Sequence, residues 1–211
     1  MQWVAEFTRK KLESLILFGG CSSKRETKRG QMHERRFQAE IDRLRSPERI
    51  ERLEVQRVVS LCLEGLGIAS VLDVGTGSGV FAEGFAEKVA TVVGIDANPE
   101  MVKVSKRLVT RASFQVATAE SIPFEDKSFD LAFLGLVLHE ADDAQKALSE
   151  AKRCANRSVV VLEWPYKQEE MGPPLAHRLK SEDVVAMAKR VGFEPVTIIP
   201  LKDLLLYKFL L

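Results

Sequence analysis

The chain has 211 residues, of which 45% are hydrophobic, and a formal net charge of +1. This length and apolar content suffice for one domain with a sizeable core, and so small a charge gives no overall attraction to nucleic acid or to a membrane surface. No apolar run is long enough to span a bilayer. Cys21, Cys62 and Cys154 lack the spacing of a zinc site or a disulfide framework, which favours a reduced, cytoplasmic compartment. Three scattered histidines predict no metal site.

Residues 1–45 form an N-terminal extension with a composition of its own. A short apolar run before Cys21 is only weakly similar to a lipoprotein signal, because charged residues crowd it. The basic run Lys24–Arg29 is typical of a solvated linker rather than a nucleic-acid site. Met32 is a candidate alternative start. A helix is predicted from about Gln31 to Leu44, where apolar residues recur on one face.

The remaining residues, 46–211, are predicted to form one α/β domain. Ser46 and Pro47 make an N-cap and a first-turn proline, and spaced apolar residues predict a helix from there through Leu63. Strands are then predicted near 70–74, 91–95, 113–116, 130–135 and 158–163, with helices near 80–88, 99–110 and 142–154. This alternation predicts a doubly wound, mostly parallel, Rossmann-like sheet with helices on both faces.

The end of the chain departs from this alternation. A helix over 182–191 closes at Gly192, and two strands follow at 195–199 and 204–210. Because only a short turn joins these two strands, they are predicted to pair antiparallel.

A glycine motif follows the first predicted strand. Asp73 is followed at alternate positions by Gly75, Gly77 and Gly79, after which a helical pattern begins. A strand, a glycine loop and a helix N-terminus together favour a nucleotide-sized site at the carboxyl edge of a parallel sheet. A tight structural turn in an unrelated α/β protein is the alternative. A dinucleotide site is less favoured, because its fingerprint is G-x-G-x-x-G.

A second acidic position lies at the tip of the next strand. Asp96 ends the run Thr91–Asp96, and Asn98 with Pro99 then begins a helix. A carboxylate in this place can accept hydrogen bonds from both hydroxyls of a ribose. Alone, Asp96 would more often be a helix cap or a solvated acid, but its context favours the ribose role.

These motifs, continued through Ala119–Leu131 and Leu136–Glu140, resemble the class I S-adenosylmethionine-dependent methyltransferases. The similarity is greatest to the type 11 group, which includes the ubiquinone and menaquinone methyltransferases, and it covers the chain from about Arg49 to its C-terminus. It implies S-adenosylmethionine as cofactor and a sheet whose last strand is reversed. It also implies a cofactor-binding set: Asp73, Gly75, Gly77, Gly79, Asp96, Ala97, Thr118, Ala119 and Glu120.

Within that set the resemblance implies distinct roles. The three glycines would line the methionine and ribose portions, Asp96 would hold the ribose hydroxyls, and Ala97 would lie against the adenine. Ala119, through its backbone, and Glu120 belong to the adenine-edge motif. Many relatives have aspartate where this chain has Thr118, so the contact to the adenine amino group is expected to be weaker.

A second departure precedes the fifth predicted strand. The usual Pro-Gly turn is replaced by Cys154–Arg157, in which Asn156 is predicted to supply the positive φ.

Candidate acceptor-side residues follow the fourth and fifth strands. His139 is predicted as a general base or as a residue that orients an acceptor oxygen, and packing or capping of the next helix is an equal alternative. Glu140 is expected to be a solvated acid. Trp164 and Tyr166 are candidate pocket walls, although core packing is the preferred interpretation for Trp164. The segment Met171–Arg178 is a candidate part of an acceptor pocket.

The predicted function is methyl transfer to a small-molecule acceptor, without nucleic-acid partners. The alternatives are an S-adenosylmethionine-binding protein without transfer activity, acting as a partner or regulator, and a methyltransferase that acts on a macromolecule. The sequence assigns neither a particular acceptor nor an oligomeric state. Since N-terminal helices commonly cover the cofactor in such enzymes, the helix predicted before Ser46 is expected to act as a lid.

Overall fold

The computed structural model describes Gln38 and residues 40–211. Gln38 and residues 40–44 are helical, which agrees with the end of the helix predicted over 31–44. The rest of that helix, including Phe37, lies outside the described residues, as do Cys21, the run Lys24–Arg29 and Met32. The lid therefore stays a prediction. A compact unit extends from Arg45 to Leu211.

One seven-stranded sheet organises this unit. Its strands are β1 (Ser70–Val74), β2 (Thr91–Asp96), β3 (Ser113–Val116), β4 (Phe129–Gly135), β5 (Ala155–Glu163), β6 (Val196–Pro200) and β7 (Leu205–Leu210). Their spatial order is β3-β2-β1-β4-β5-β7-β6, and β7 is the only reversed strand, antiparallel to both β5 and β6. The α/β class, the doubly wound sheet and the antiparallel C-terminal strand predicted from the sequence are confirmed.

Helices cover both faces of the sheet. They are α1 (Pro47–Arg52), α2 (Val55–Leu63), α3 (Val80–Ala86), α4 (Pro99–Leu108), α5 (Ala144–Cys154) and α6 (Ser181–Val191). Strand residues alternate between two apolar layers, so that Val71 packs with α2 and α3 while Leu72 packs with α5 and α6. This alternation follows from the two-residue period of a strand. Cys62 and Cys154 are free, buried thiols in these layers.

The first helix is interrupted, which corrects the prediction of one continuous helix from Ser46 through Leu63. The break lies at Glu54, whose φ of 46° is left-handed. The Glu54 carboxylate accepts a hydrogen bond from the backbone N of Lys202 at 2.8 Å and pairs with Arg57 at 2.7 Å. These contacts stabilise a backbone conformation that a glutamate seldom adopts. Periodicity alone gave no sign of the break.

The prediction that Asn156 supplies a positive φ is wrong. Helix α5 ends at Cys154 and β5 begins at once with Ala155, whose φ of −89° and ψ of 147° are extended. Asn156 lies inside β5 and is absent from the positive-φ residues. The chain passes directly from helix to strand, so no left-handed residue is required.

Within the described residues, no helix combines the length and the apolar composition needed to cross a membrane.

Candidate functional site

The predicted site residues lie at the carboxyl ends of neighbouring strands. Gly75 follows β1, Asp96 ends β2, and Glu163 ends β5, while β4 leads into a short 3-10 helix, Leu138–Glu140. Because β1, β2, β4 and β5 are parallel, these ends share one edge of the sheet. In open α/β sheets this is the edge where ligands bind. We call residues 73–79 with Asp96 the glycine-loop side, and residues 136–140 with Glu163 and the segment 164–178 the histidine side.

The loop glycines differ in what surrounds them. Gly77 has a φ of 54°, and a Cβ added there would meet no atom within 4 Å. Its backbone therefore borders open space that a ligand could approach closely. At Gly75, in contrast, an added Cβ would lie 2.8 Å from Val137 Cβ. Gly79 is the N-cap of α3 and packs against α4, with Ser105 Cβ 3.3 Å from an added Cβ.

Asp96 holds the open part of the loop. Its Oδ2 accepts a hydrogen bond from the backbone N of Gly77, and its Oδ1 accepts one from the backbone N of Asn98, both at 2.8 Å. Each carboxylate oxygen can accept a further bond, and the residue is half-buried. Ala97, next to it, is exposed. The carboxylate thus borders the same space as Gly77 and keeps acceptor capacity for a ligand.

Asp73 lies beneath the loop. It is 2% exposed, and its Oδ2 accepts a hydrogen bond from Thr76 Oγ1 at 2.6 Å. Burial raises the pKa of this carboxyl to about 7; the Thr76 bond opposes the shift, and the nearby charge of Asp96 adds to it. The hydrogen bond of Asp73 is to Thr76, a residue of the loop. Asp73 therefore supports the loop glycines and is not a surface group.

The adenine-edge motif lies beside Asp96. The backbone N of Ala117 donates to the carbonyl of Asp96 at 3.1 Å, which brings the end of β3 to this residue. Thr118 follows, exposed, and forms an isolated bridge with Ser121. Ala119 and Glu120 are partly buried, and Glu120 Oε1 accepts a long bond from the backbone N of Asp143 at 3.4 Å. The structure therefore groups the predicted cofactor residues around one edge.

Arg153 fixes the segment that follows. Its guanidinium donates to the carbonyls of Ile122 at 2.8 Å and Phe124 at 2.7 Å, and it pairs with Glu150. Glu150 Oε2 also accepts from the backbone N of Ile122 at 3.0 Å. This bonding anchors the β3–β4 connection from below.

Arg45 reaches the glycine-loop side from the start of the unit. It donates to the carbonyl of Ser78 at 2.8 Å and forms an ion pair with Glu83. A groove of about 440 Å³ lies between α1, α2 and α3, lined by Glu83 and other acidic, polar and apolar residues together with Arg57. It contains none of the loop glycines and no part of Asp96 or His139.

On the histidine side, the chain leaves β4 through a strained residue. Leu136 has a φ of 61° and donates its backbone N to the carbonyl of Leu162 at 2.8 Å. A leucine in the left-handed region costs roughly 1–3 kcal/mol, and such residues are held by their surroundings. The turn places Val137 against Gly75 and leads into the 3-10 helix that carries His139.

His139 is held by Glu163. The imidazole Nδ1 lies 2.8 Å from Glu163 Oε2, and the backbone N of His139 donates to Glu163 Oε1 at 3.1 Å. Burial lowers the pKa of His139, but the hydrogen bond and charge of Glu163 and the charge of Glu140 outweigh it, so the pKa lies above its ordinary value. His139 does not cap the next helix, since the N-cap of α5 is Asp143. Glu140 is exposed, as predicted.

Arg178 organises the segment after β5. Its guanidinium donates to the carbonyls of Pro165 at 3.1 Å and Pro173 at 2.9 Å, and to that of Met171. It also lies over the Trp164 ring, 5.5 Å from the centroid, a distance at which a cation is attracted to the ring face. Trp164 is buried, as the preferred interpretation predicted, whereas Tyr166 is exposed. The buried guanidinium thus connects the segment to Trp164, which directly follows β5.

Comparisons with known proteins agree with this geometry. Residues 72–162 match a family model described as "Methyltransferase domain", of the type 11 group. An uncharacterized methyltransferase of Bacillus subtilis is 40% identical over 88 residues, which are 39% of this chain and 35% of that protein. A ubiquinone/menaquinone biosynthesis C-methyltransferase of Citrifermentans bemidjiense is 36% identical over 109 residues, 46% of each chain. The chain thus matches less than half the length of either relative.

Solved structures extend the similarity to most of the chain. A S-adenosylmethionine-dependent methyltransferase from Aquifex aeolicus superposes with a TM-score of 0.73 and 25% identity, covering 82% of this chain and 97% of that one. Residues 72–162 thus match the type 11 methyltransferase family, and the fold around them is that of an S-adenosylmethionine-dependent methyltransferase. A [4+2]-cyclase with 24% identity and a TM-score of 0.57, covering 70% of this chain and 59% of its own, shows that the same fold occurs in a protein named for other chemistry.

Two polar residues of this methyltransferase domain were missed by sequence reasoning. Glu163 ends an apolar strand pattern, and its position gave no indication that it meets His139, 24 residues earlier. Arg178 was included only as the last residue of a candidate loop. A charged residue at the end of a buried strand is the one signal that could have marked Glu163, since an unpaired buried charge is costly. In the described part of the chain, no group of three or more His, Cys, Asp or Glu residues is arranged to hold a metal ion.

Proposed function

We propose that this protein is an S-adenosylmethionine-dependent methyltransferase that acts on a small-molecule acceptor. The observation that carries the proposal is the open space at Gly77, bordered by the Asp96 carboxylate, at the ligand-binding edge of a methyltransferase-type sheet. The left-handed φ of 54° favours glycine at this position, and the open space beside its backbone leaves room for a ligand to approach closely.

The residues at this edge fit S-adenosylmethionine. The loop containing Gly75, Gly77 and Gly79 would bind its methionine and ribose portions, and Asp96 would accept bonds from the ribose hydroxyls. Ala97, Thr118, Ala119 and Glu120 would surround the adenine, with Asp73 supporting the loop from below. When bound, the cofactor supplies a methyl group on a sulfonium for in-line displacement. The protein's own contribution is to orient the acceptor and to exclude water, which can lower the barrier by several kcal/mol.

His139 is proposed as the residue that serves the acceptor. It lies on the histidine side, at the end of β4, and its imidazole is held in one orientation by Glu163. An imidazole in this place can accept a proton or orient an oxygen. The segment 164–178, tied down by Arg178, would form the wall of the acceptor pocket. The free, buried thiols of Cys62 and Cys154 support a reduced cytoplasmic compartment.

A second function is kept because the fold is shared with a [4+2]-cyclase. In that alternative the protein binds S-adenosylmethionine without transferring its methyl group and acts as a partner or regulator. The weaker adenine contact expected of Thr118 is compatible with either function.

Two measurements test the proposal. Titration calorimetry with S-adenosylmethionine and with its demethylated product should show binding of both to the full chain. Incubation with methyl-labelled cofactor and cell extract, separated into dialysable and macromolecular fractions, should label the dialysable fraction. Binding without transfer to either fraction would favour the second function, transfer only to macromolecules would reject the small acceptor, and absence of binding would reject the cofactor.

A further inference from the structure

The carboxylate of Glu163 is directed almost wholly at His139. Oε2 lies 2.8 Å from Nδ1, Oε1 accepts from the backbone N of His139 at 3.1 Å, and Oε2 also accepts from the backbone N of Trp164 at 3.3 Å. Only 2% of the Glu163 side chain and 6% of the His139 side chain are exposed. A buried carboxylate is costly unless it is hydrogen-bonded, and here one histidine supplies two of its three bonds.

This contact determines which nitrogen of His139 carries the proton. An ionised carboxylate can only accept, so the neutral imidazole must have its hydrogen on Nδ1. Nε2 is then the basic nitrogen. Among the described residues none hydrogen-bonds to Nε2, which lies on the side of the ring that faces the exposed Glu140 carboxylate, 3.8 Å away.

Three charged groups surround this imidazole. Glu163 contacts it from β5, Glu140 lies 3.8 Å from Nε2 on the same 3-10 helix and is largely exposed, and Arg178 approaches from the segment after β5. The two acids favour the protonated imidazole, while Arg178 disfavours it. Because Glu163 is both the closest and the buried acid, it dominates the basicity of His139.

We propose that Glu163 is a positioning residue that fixes His139 as a general base with Nε2 free, and that the acceptor is a nucleophile that loses an O–H or N–H proton on methylation. This inference rests on the proposed methyltransferase function. A base is needed only when the acceptor must lose a proton, and O–H and N–H groups transfer a proton to an imidazole far more readily than C–H groups do, so a Glu–His pair at the acceptor end of the site favours that class of substrate.

A lone pair of the acceptor oxygen or nitrogen forms the new bond to the methyl carbon, and the carbon–sulfur bond of the sulfonium breaks with its electron pair on sulfur. The acceptor proton moves to His139 Nε2. Glu163 stays ionised and stabilises the imidazolium, which then returns the proton to solvent.

The first test uses nuclear magnetic resonance on protein labelled with ¹⁵N-histidine, without cofactor. Wild-type His139, assigned by its loss in His139→Gln, should be the Nδ1–H tautomer when neutral and should titrate above 6.5. Glu163→Gln should lower that pKa and abolish the tautomer preference. Glu140→Gln, the matched control, removes one acid from the exposed side and should lower the pKa slightly without changing the tautomer. An Nε2–H tautomer in wild type would overturn the proposal without any variant.

The second test uses kinetics with the acceptor identified from the labelled dialysable fraction. A base must be neutral to act, so turnover should rise with pH through the pKa of His139. In Glu163→Gln the rise should move to lower pH, and the plateau should fall roughly tenfold or more while cofactor affinity is unchanged. An unmoved pH profile would overturn the positioning role, and an acceptor without a labile proton would overturn the substrate class. If wild type fails to bind S-adenosylmethionine, the proposed function fails, whereas the tautomer result stands on its own.

Discussion

The glycine-loop side and the histidine side of the site are built in different ways. On the glycine-loop side, the surface is formed mainly by backbone groups. Gly77 borders open space, and Asp96 accepts hydrogen bonds from two backbone N–H groups. On the histidine side, buried side chains contact one another: His139 contacts Glu163, and Arg178 contacts Trp164. Backbone conformation restricts which residues can occur, so it leaves a mark in the sequence, whereas a meeting of side chains from separate elements leaves none. The two sides should therefore respond differently to substitution.

The largest expected effect is on the support of the glycine-loop side. Asp73→Asn should stabilise the protein above neutral pH, because the folded state raises the pKa of Asp73 from 3.8 to about 7. Stability from such a group is full below the unfolded pKa and is lost as pH rises to the folded pKa, at roughly 1.4 kcal/mol per pH unit. The variant should thus gain about 4 kcal/mol over wild type by pH 8 and nothing at pH 3.5. Urea unfolding across this range measures the difference.

Asp130 is a matched control of opposite sign. Burial alone would raise its pKa, but hydrogen bonds from Ala69 N, Arg157 and Ser70 hold it below the ordinary value. Its stabilisation is present at neutral pH and lost as pH falls, so Asp130→Asn should lose stability at neutral pH and match wild type in acid. Parallel curves for wild type and Asp73→Asn would show that Asp73 is not a buried acid of raised pKa.

On the histidine side, Arg178→Met should cost about 2–3 kcal/mol of unfolding free energy, because three loop carbonyls lose a charged donor. Turnover should fall, while S-adenosylmethionine affinity should stay at the wild-type value, since the glycine-loop side is untouched. Denaturant unfolding and calorimetry measure the two effects. Arg190→Met, at an exposed arginine on α6, should change stability by less than about 0.5 kcal/mol. A loss of cofactor affinity in Arg178→Met would show that the histidine side also affects cofactor binding, so that the two sides do not respond independently.

The smallest expected effect is also the most specific. Asp96→Ala should weaken S-adenosylmethionine binding by about 2 kcal/mol, or one to two decades, because a charge-assisted acceptor is removed. Calorimetry measures the affinity, and circular dichroism checks that the fold is intact. Glu100→Ala removes an exposed acid at the start of α4 and should leave the affinity unchanged. Equal affinities for Asp96→Ala and wild type would remove Asp96 from the cofactor site.

Most of the sheet could be predicted from local pattern. Strands such as Ser70–Val74 and the helix that begins at Asn98 and Pro99 carry their signals within a few residues. The break at Glu54 could not, because it depends on Lys202, which is remote in sequence. The prediction of a positive φ at Asn156 failed for a related reason. A turn was expected there, but helix α5 is followed directly by β5.

The residues of the candidate site differ in the same way, between those with a local sequence signal and those that depend on remote contacts. The loop glycines and Asp96 could be proposed as site residues because strand, glycines and acid occur in a fixed order. His139 could be proposed from its position after β4, but its orientation could not be predicted, since Glu163 lies on another strand. Arg178 shows the same limit, because its three carbonyl partners become visible only when the segment is folded.

The contact between Gly75 and Val137 gives the site an evolutionary constraint. Position 75 has a φ of 69° and Val137 fills the place of its missing side chain, so it can hardly accept anything but glycine. Adaptation must therefore occur at position 137, two residues before His139. Any mutation there that reshapes the surroundings of His139 also alters the packing against the loop proposed to bind the cofactor. A lineage that acquires a new substrate through this position would need a compensating change elsewhere, so we expect epistasis between acceptor choice and cofactor affinity.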